Sequence, residues 1–481
     1  MSASNENNEQ LKRKCEPENK ENDNKKKKKN YENESDVDKK EEEETECEVS
    51  SDKVIYFKIV SNEKEFNNFQ SLDFVNTFQP TYTYELFADS KIHGYKGLKI
   101  LISLTPKTFF AHLNIIYSKQ LLIHDDVQKI LTDHFKDRQT MDKNIFIEKL
   151  EQEQKLIFSK GKQIYKNDSK AIYNIDIIID NFIGENHSLQ SLCTFFIDAA
   201  SFIPIETNFW NYFLIIEYFN PYATDERHIF LKDHEDDDAK NWHTIGFTSY
   251  KNFHLEFNKY NTMISQFLII PPYQRKGYGT LLLENSYKFL YPKEECREIT
   301  TEDPSIEFIL MRDYTWCKIF FDEKIFDDLL SKVNGKIITT ENEYNMFILT
   351  EDKLNMMIKK FKLQKNDIER AFEIIKYCLV MNTKLLIDKF SNEKKQKLYK
   401  QLKDSTIEEG NKKREKGPFI SFYDEPDYDS IGKLNEIAVE AEGLPAEKRV
   451  EMLFPEYIGD ISKITEKVSG LICKYHDKLT K

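Results

Sequence analysis

The 481-residue sequence is poor in the residues that punctuate a chain, with 14 glycines and 13 prolines. A turn-rich all-β protein needs more of both, so that class is disfavoured. Cysteine is scarce too. The seven (Cys15, Cys47, Cys193, Cys296, Cys317, Cys378, Cys473) are scattered, with no C-x-x-C pair. That spacing argues against a disulfide framework or a zinc site and fits a reduced intracellular compartment. Long apolar runs are missing: none approaches the roughly 18–20 residues of a membrane span. The start, Met1 to Asn5, lacks the apolar stretch of a secretory signal. A last absence is local, because residues 1 to about 53 carry almost no apolar side chains and cannot offset the entropy of ordering.

What is present is a soluble composition, 40% apolar, 13% aromatic and 32% charged, long enough for two or three folded units. The net charge of −13 disfavours direct nucleic-acid binding and would steer a basic partner inward. Within the tail, Lys12 to Lys14 and Lys25 to Lys29 read either as a bipartite nuclear import signal or as low-complexity lysine. Order is expected from Val54. Strands are predicted at Val54–Val60, Leu98–Leu104, His112–Tyr117 and Ala171–Ile179, with a helix around Met141–Gln154, giving a β-rich unit over 54–185. An α/β (α+β) pattern follows over 186–322: a helix at Leu189–Ser201, strands at Tyr212–Phe219, Trp242–Phe253, Met263–Ile270 and Glu298–Thr301, and helices at Gly279–Leu290 and Pro304–Phe321. Asp233–Asp238 reads as a solvated loop. From 323 to 481 the pattern is helical, interrupted at Gly417–Asp429.

The most informative segment is a strand, Ser265-Gln266-Phe267-Leu268-Ile269-Ile270, running through Pro271-Pro272-Tyr273 into Gln274-Arg275-Lys276-Gly277-Tyr278-Gly279 and a helix. Two glycines let backbone amides crowd together, and the free N–H groups of a helix start suit a pyrophosphate. No third glycine completes a dinucleotide fingerprint, and no Gly-Lys-Ser/Thr makes a P-loop. The turn resembles the acetyl-CoA turn of the GNAT acetyltransferases. The longer string resembles the catalytic domain of type B histone acetyltransferases. Further matches lie at Phe87 with Gly94–Ile100, at Ala200–Ile203, and at Thr301–Ser305 with Leu310–Asp313. The resemblance covers roughly Ile55 to Leu363. It implies a GNAT-type mixed sheet flanked by helices, after a β-rich unit and before a helical C-terminal region.

The resemblance further implies acetyl-CoA as co-substrate, contacted by Phe267, Leu268, Ile269, Gln274, Arg275, Lys276, Gly277, Tyr278, Gly279 and Glu307, with no metal. A lysine ammonium titrates near about 10.4, so acetyl transfer needs a base. The family's Glu-Asp-Pro motif assigns that role to Glu302. Asp303 is either a partner in the chemistry or an N-cap before Pro304. Asp198 stands where relatives carry glutamate, one methylene longer, and could act through water or be a surface residue. Cys296 makes a poor nucleophile, because Glu294 and Glu295 beside it raise a thiol pKa. Direct amine attack is therefore favoured, with the oxyanion held by a backbone N–H near Phe267–Ile269. The implied substrate is the tail of newly made histone H4 (with H3), bound by two loops, one at Asp89, Ser90 and Lys91 and one at Lys251, Asn252 and Phe253. A WD-repeat histone chaperone is the implied partner, no membrane is involved, and the implied location is nucleus and cytoplasm. Two other readings stay open: an acetyl-CoA-binding histone escort with weak catalysis, and a GNAT enzyme acting on another amine.

Overall fold

A computed structural model describes residues 47–155, 161–167, 169–176, 188–203, 209–218, 242–255, 257–333, 337–412 and 444–479. The basic clusters at Lys12–Lys14 and Lys25–Lys29, the acidic run at Asp233–Asp238 and the loop at Gly417–Asp429 lie outside these residues.

Residues 47–53 are ordered, although their composition does not imply it. Glu48–Ser50 (β1) pairs antiparallel with Lys91–His93 (β3), and Cys47 is buried beside it. Lys91 also reaches Glu48 at 2.6 Å. The polar tail read as reaching residue 53 is therefore corrected over residues 47–53, which are ordered because this ladder supplies partners that the local composition does not.

A four-stranded sheet follows, in the order Ile55–Ile59 (β2), Lys99–Leu104 (β5), Ala111–Ile116 (β6) and Gln139–Thr140 (β8). Tyr95–Lys96 (β4) and Lys119–Gln120 (β7) form a small ladder at its side. Three helices accompany it, each opened by an Asn or Asp side chain accepting an early amide: Glu63–Gln70 (α1) by Asn62, Val127–Phe135 (α2) by Asp126, and Lys143–Gln154 (α3) by Asp142.

The central sheet has six strands, in the order Cys296–Thr301 (β14), Tyr260–Ile269 (β13), Trp242–His254 (β12), Trp210–Tyr218 (β11), Lys170–Asp176 (β10) and Lys162–Lys166 (β9). Only β13 and β14 run parallel. The sequence reading placed Ala171–Ile179 in the first unit and saw no strand at Lys162–Lys166. Lys170–Asp176 and Lys162–Lys166 both pair into this sheet, and residues 177–179 lie outside the described residues. Lys251, Asn252 and Phe253, a substrate loop by the family resemblance, lie inside β12, as the strand predicted at Trp242–Phe253 requires.

Both faces of the sheet are covered, which explains the unbroken apolar run in β11. Tyr212, Leu214 and Ile216 pack toward the first unit together with Leu192 and Phe195 of Ser188–Phe196 (α4). Phe213 and Ile215 pack on the other face with Tyr278–Leu290 (α5) and Ile306–Asp322 (α6). That second core continues without a break into Glu341–Met346 (α7), Glu351–Phe361 (α8), Lys365–Val380 (α9), Lys384–Lys412 (α10) and Ala446–Leu479 (α11). A buried double ion pair fastens α6 to α9: Arg312 to Asp367 at 3.2 Å and Asp313 to Arg370 at 2.7 Å. No described helix is long and apolar enough to cross a membrane.

Candidate active site

The site grows from an irregularity in β13. Thr248 faces Phe267 and Tyr250 faces Ile264, so Ser265 and Gln266 oppose Ser249 alone. This bulge re-aims the backbone. Before it, the Ile264 carbonyl accepts from the Glu302 amide on the β14 side at 2.8 Å. After it, the Gln266 amide donates toward β12, to the Ser249 hydroxyl at 3.0 Å, and Ile270 donates to Ile245 at 3.0 Å. Strand alternation therefore aims the N–H groups of Phe267 and Ile269 away from β12. On that side the parallel pairing has already stopped at Ile264 and Thr301. The two strands thus part, leaving an open backbone edge between them.

At the upper end of this edge, Gln274 folds back and its amide donates to the Ile269 carbonyl at 2.8 Å. The turn then climbs through Arg275 (φ 62°) and Gly277 (φ 85°) into α5. A Cβ on Gly277 would meet nothing within 4 Å, so its backbone angle, not crowding, calls for glycine. Gly279 differs, since a Cβ there would stand 2.7 Å from the Met311 sulfur. Arg275 and Lys276 are exposed at this positive helix end. The Tyr278 ring turns inward, its hydroxyl donating to Glu217 at 2.6 Å with Lys170 over the ring. Its side chain is thus committed to the sheet.

At the lower end, Glu302 follows directly on β14. It is exposed, and its Oε2 accepts from the Ser265 hydroxyl on the bulge. Asp303 (φ 33°) does not cap the next helix. Ser305 does, accepting from the Phe308 amide at 3.2 Å, and α6 starts at Ile306. Glu307 lies exposed in its first turn.

Asp198 is not on a helix face. α4 ends at Phe196, and Ala199 takes a left-handed φ of 49°. The Tyr84 hydroxyl donates to Asp198 Oδ1 at 2.5 Å and accepts from the Ala199 amide at 2.7 Å. The neighbouring Tyr82 phenol is pushed up by burial, then by the negative charges of Asp198 and Glu307. The segment Thr81–Tyr84 therefore closes onto the same acidic region. Sequence reasoning missed Tyr82, Tyr84 and Ser265. The aromatic cluster after Pro80 was the one available signal.

The expected substrate residues fall in two places. Asp89 and Ser90 form a tight turn with positive φ before β3, and Lys91 is held by Glu48. Lys251 and Phe253 lie on β12 of the central sheet, the ammonium stacked 5.6 Å from the Trp210 ring centre and 4.8 Å from that of Phe253. Asn252 accepts from Thr262 at 2.8 Å.

Comparison with known proteins decides the family. The model described as MOZ/SAS family matches residues 158–407, more than half of the chain. The one described as histone acetyl transferase HAT1 N-terminus matches residues 47–198. Rat and human proteins named histone acetyltransferase type B catalytic subunit are both 27% identical, over 320 and 318 residues, covering 63% of this chain and 69% of theirs. The mouse protein of that name is 24% identical over 82% of this chain and 89% of its own. The chain belongs to the type B histone acetyltransferases.

The acetyltransferase family implies acetyl-CoA as co-substrate, and the strand edge and turn just described are the candidate place for it. They supply what a CoA ligand requires: parted strands with free-facing amides, a left-handed glycine clear of side chains, and two exposed cations at a helix start. Cys296 is buried, and that burial pushes its thiol up, so it is no ready nucleophile. Among the described residues no group of three His, Cys, Asp or Glu could hold a metal ion.

Proposed function

We propose that the enzyme acetylates lysine ε-amines in the N-terminal tail of free histone H4, using acetyl-CoA and Glu302 as general base. The observation that carries this reading is the place of Glu302, exposed at the point where β13 and β14 part. Bound acetyl-CoA would supply the activated acetyl thioester. Arg275, Lys276 and the amides opening α5 would hold its phosphates, and the Phe267 and Ile269 backbone would align its arm and carbonyl. Ser265 orients the Glu302 carboxylate, whose other oxygen would take the ammonium proton so that the neutral amine can attack the thioester carbon, the C–S bond breaking to release the CoA thiolate, which takes up a proton. The protein's net charge of −13 favours a lysine-rich tail. A WD-repeat histone chaperone as partner, and a nuclear and cytoplasmic location, follow from the family reading alone.

The test is acetyl transfer by the purified chain to an H4 tail peptide, with the product mapped by mass spectrometry, against a panel of other tails and small amines. Highest kcat/KM on the H4 peptide is expected. Preference for a small amine would sink the histone assignment. Cofactor binding without transfer would favour a histone escort.

A further inference from the structure

Between α7, α9 and α10, among the C-terminal helices, lies a cavity of about 400 Å³, a size that small-molecule sites commonly have. Its apolar wall includes Ile348, Leu349, Leu354, Phe372 and Phe390. Its polar wall carries three glutamates and three lysines, and most of these already have partners. Glu373 accepts from Lys394 at 2.7 Å and from Lys397 at 2.8 Å. Glu369 accepts from Lys397 at 2.5 Å, and Glu393 from the Tyr344 hydroxyl at 2.6 Å.

Lys376 is the exception. It is only 9% exposed, and its ammonium rests 3.8 Å from the centre of the Tyr344 ring. No hydrogen bond or ion pair reaches it among the described residues. Burial pushes its pKa down, opposed by the more distant charge of Glu393. A ring face offsets only part of the cost of desolvating an ammonium. What the cavity lacks is an acceptor of negative charge. A cationic ligand would find Glu369 and Glu373 already ion-paired and Glu393 bound by the Tyr344 hydroxyl, and would be repelled by Lys376; a neutral one would leave Lys376 as it is.

We propose that this cavity binds a small organic anion with an apolar body, its acid group paired with Lys376 and its hydrocarbon chain against Leu354, Phe372 and Phe390. The site is separate from the β13–β14 edge, so its occupancy does not depend on the acetyl-transfer reading.

Sodium octanoate is the probe, titrated calorimetrically into the full chain with coenzyme A present to occupy the transfer site. Octanol and octylamine serve as neutral and cationic counterparts. Saturable octanoate binding is expected, with octanol about tenfold weaker or worse and octylamine not binding. Lys376→Met keeps the length and bulk of the side chain but removes its charge. It should weaken octanoate about tenfold or more and leave octanol unchanged. Leu354→Trp, which fills the cavity, should abolish binding and keeps the question open to test if Lys376→Met does not fold. Failure of octanoate to bind the wild-type chain, or equal binding by wild type and the folded Lys376→Met variant, would overturn the proposal.

Discussion

Replacing Glu302 with glutamine separates proton transfer from every other contribution of the site. The side chain is exposed, and an amide oxygen can still accept from Ser265, so the fold should be unaffected. Only the capacity to take a proton is lost. With a lysine pKa near about 10.4, only about one free amine in a few thousand is neutral near neutral pH. A positioned base commonly contributes about 10²- to 10⁴-fold, or about 3–5 kcal/mol of barrier. The scarcity of neutral amine lies inside that range, so a loss of about 10²- to 10³-fold in kcat is expected near pH 7. The pH profile is the sharper test. A variant that waits for solution to remove the proton should speed up about tenfold per pH unit until the lysine itself titrates. Initial rates on the H4 tail peptide, at saturating acetyl-CoA and corrected for the uncatalysed reaction, should therefore show a deficit that narrows as pH rises. Wild-type rates in the variant would refute the role of Glu302. A deficit of constant size at every pH would leave Glu302 as a positioning group and refute it as the base.

Three further substitutions test the surroundings. Gly277→Ala meets no steric obstacle, so its cost is the left-handed backbone alone, about 1–2 kcal/mol. Thermal unfolding should shift down by a few degrees with a rise in KM for acetyl-CoA, and unchanged values of both would show that the turn tolerates a side chain. Tyr84→Phe removes the hydroxyl shared by Asp198 and Ala199. Steady-state kinetics should show KM for the peptide up by roughly three- to tenfold, with KM for acetyl-CoA unchanged; an unaltered peptide KM would show the contact to be idle. Arg370→Met strands the buried Asp313 carboxylate, 4% exposed, and should cost about 3–5 kcal/mol in urea unfolding. Adding Asp313→Leu should recover much of it. A single variant as stable as wild type would mean that the pair does not fasten α6 to α9.

The sequence was readable wherever local chemistry and tertiary structure agreed. The turn at Gln274–Gly279 could be seen because Gly277 occupies a backbone region that other residues avoid. β12, β13, α5 and α6 could be seen because apolar spacing matches the faces they bury. Where the two disagreed, the local signal misled. Lys162–Lys166 is a half-exposed strand at the edge of the sheet, with little alternation, and only its pairing with β10 makes it one. Glu302-Asp303-Pro304-Ser305 offers two residues able to cap a helix, and the positive φ at Asp303 hands the task to Ser305. Apolar spacing in α4 runs on past Phe196 to Ala199. The helix nevertheless stops, and the Ala199 amide is taken by the Tyr84 hydroxyl from 115 residues away. No window of local sequence contains that contact.

The same contact bears on how work divides between the two carboxylates. Asp198 is one methylene shorter than the glutamate implied by the family resemblance, and one of its oxygens is already held by Tyr84. Among the described residues Glu302 keeps a free oxygen beside the open edge of β13, because Ser265 binds only Oε2. Each carboxylate thus has one oxygen engaged by a hydroxyl, and it is the shorter reach that makes Asp198 the worse placed of the two to collect a proton from an incoming ammonium. Asp198 is well placed to bind Thr81–Tyr84 against the turn that ends α4, where the Thr81 and Tyr82 amides donate to the Phe195 carbonyl. On this division, Asp198→Asn should follow Tyr84→Phe and weaken peptide binding without steepening the pH profile, whereas Glu302→Gln alone should steepen it. If Asp198→Asn steepened the profile as well, the proton would have to pass through both carboxylates, and the short side chain would belong to the chemistry after all.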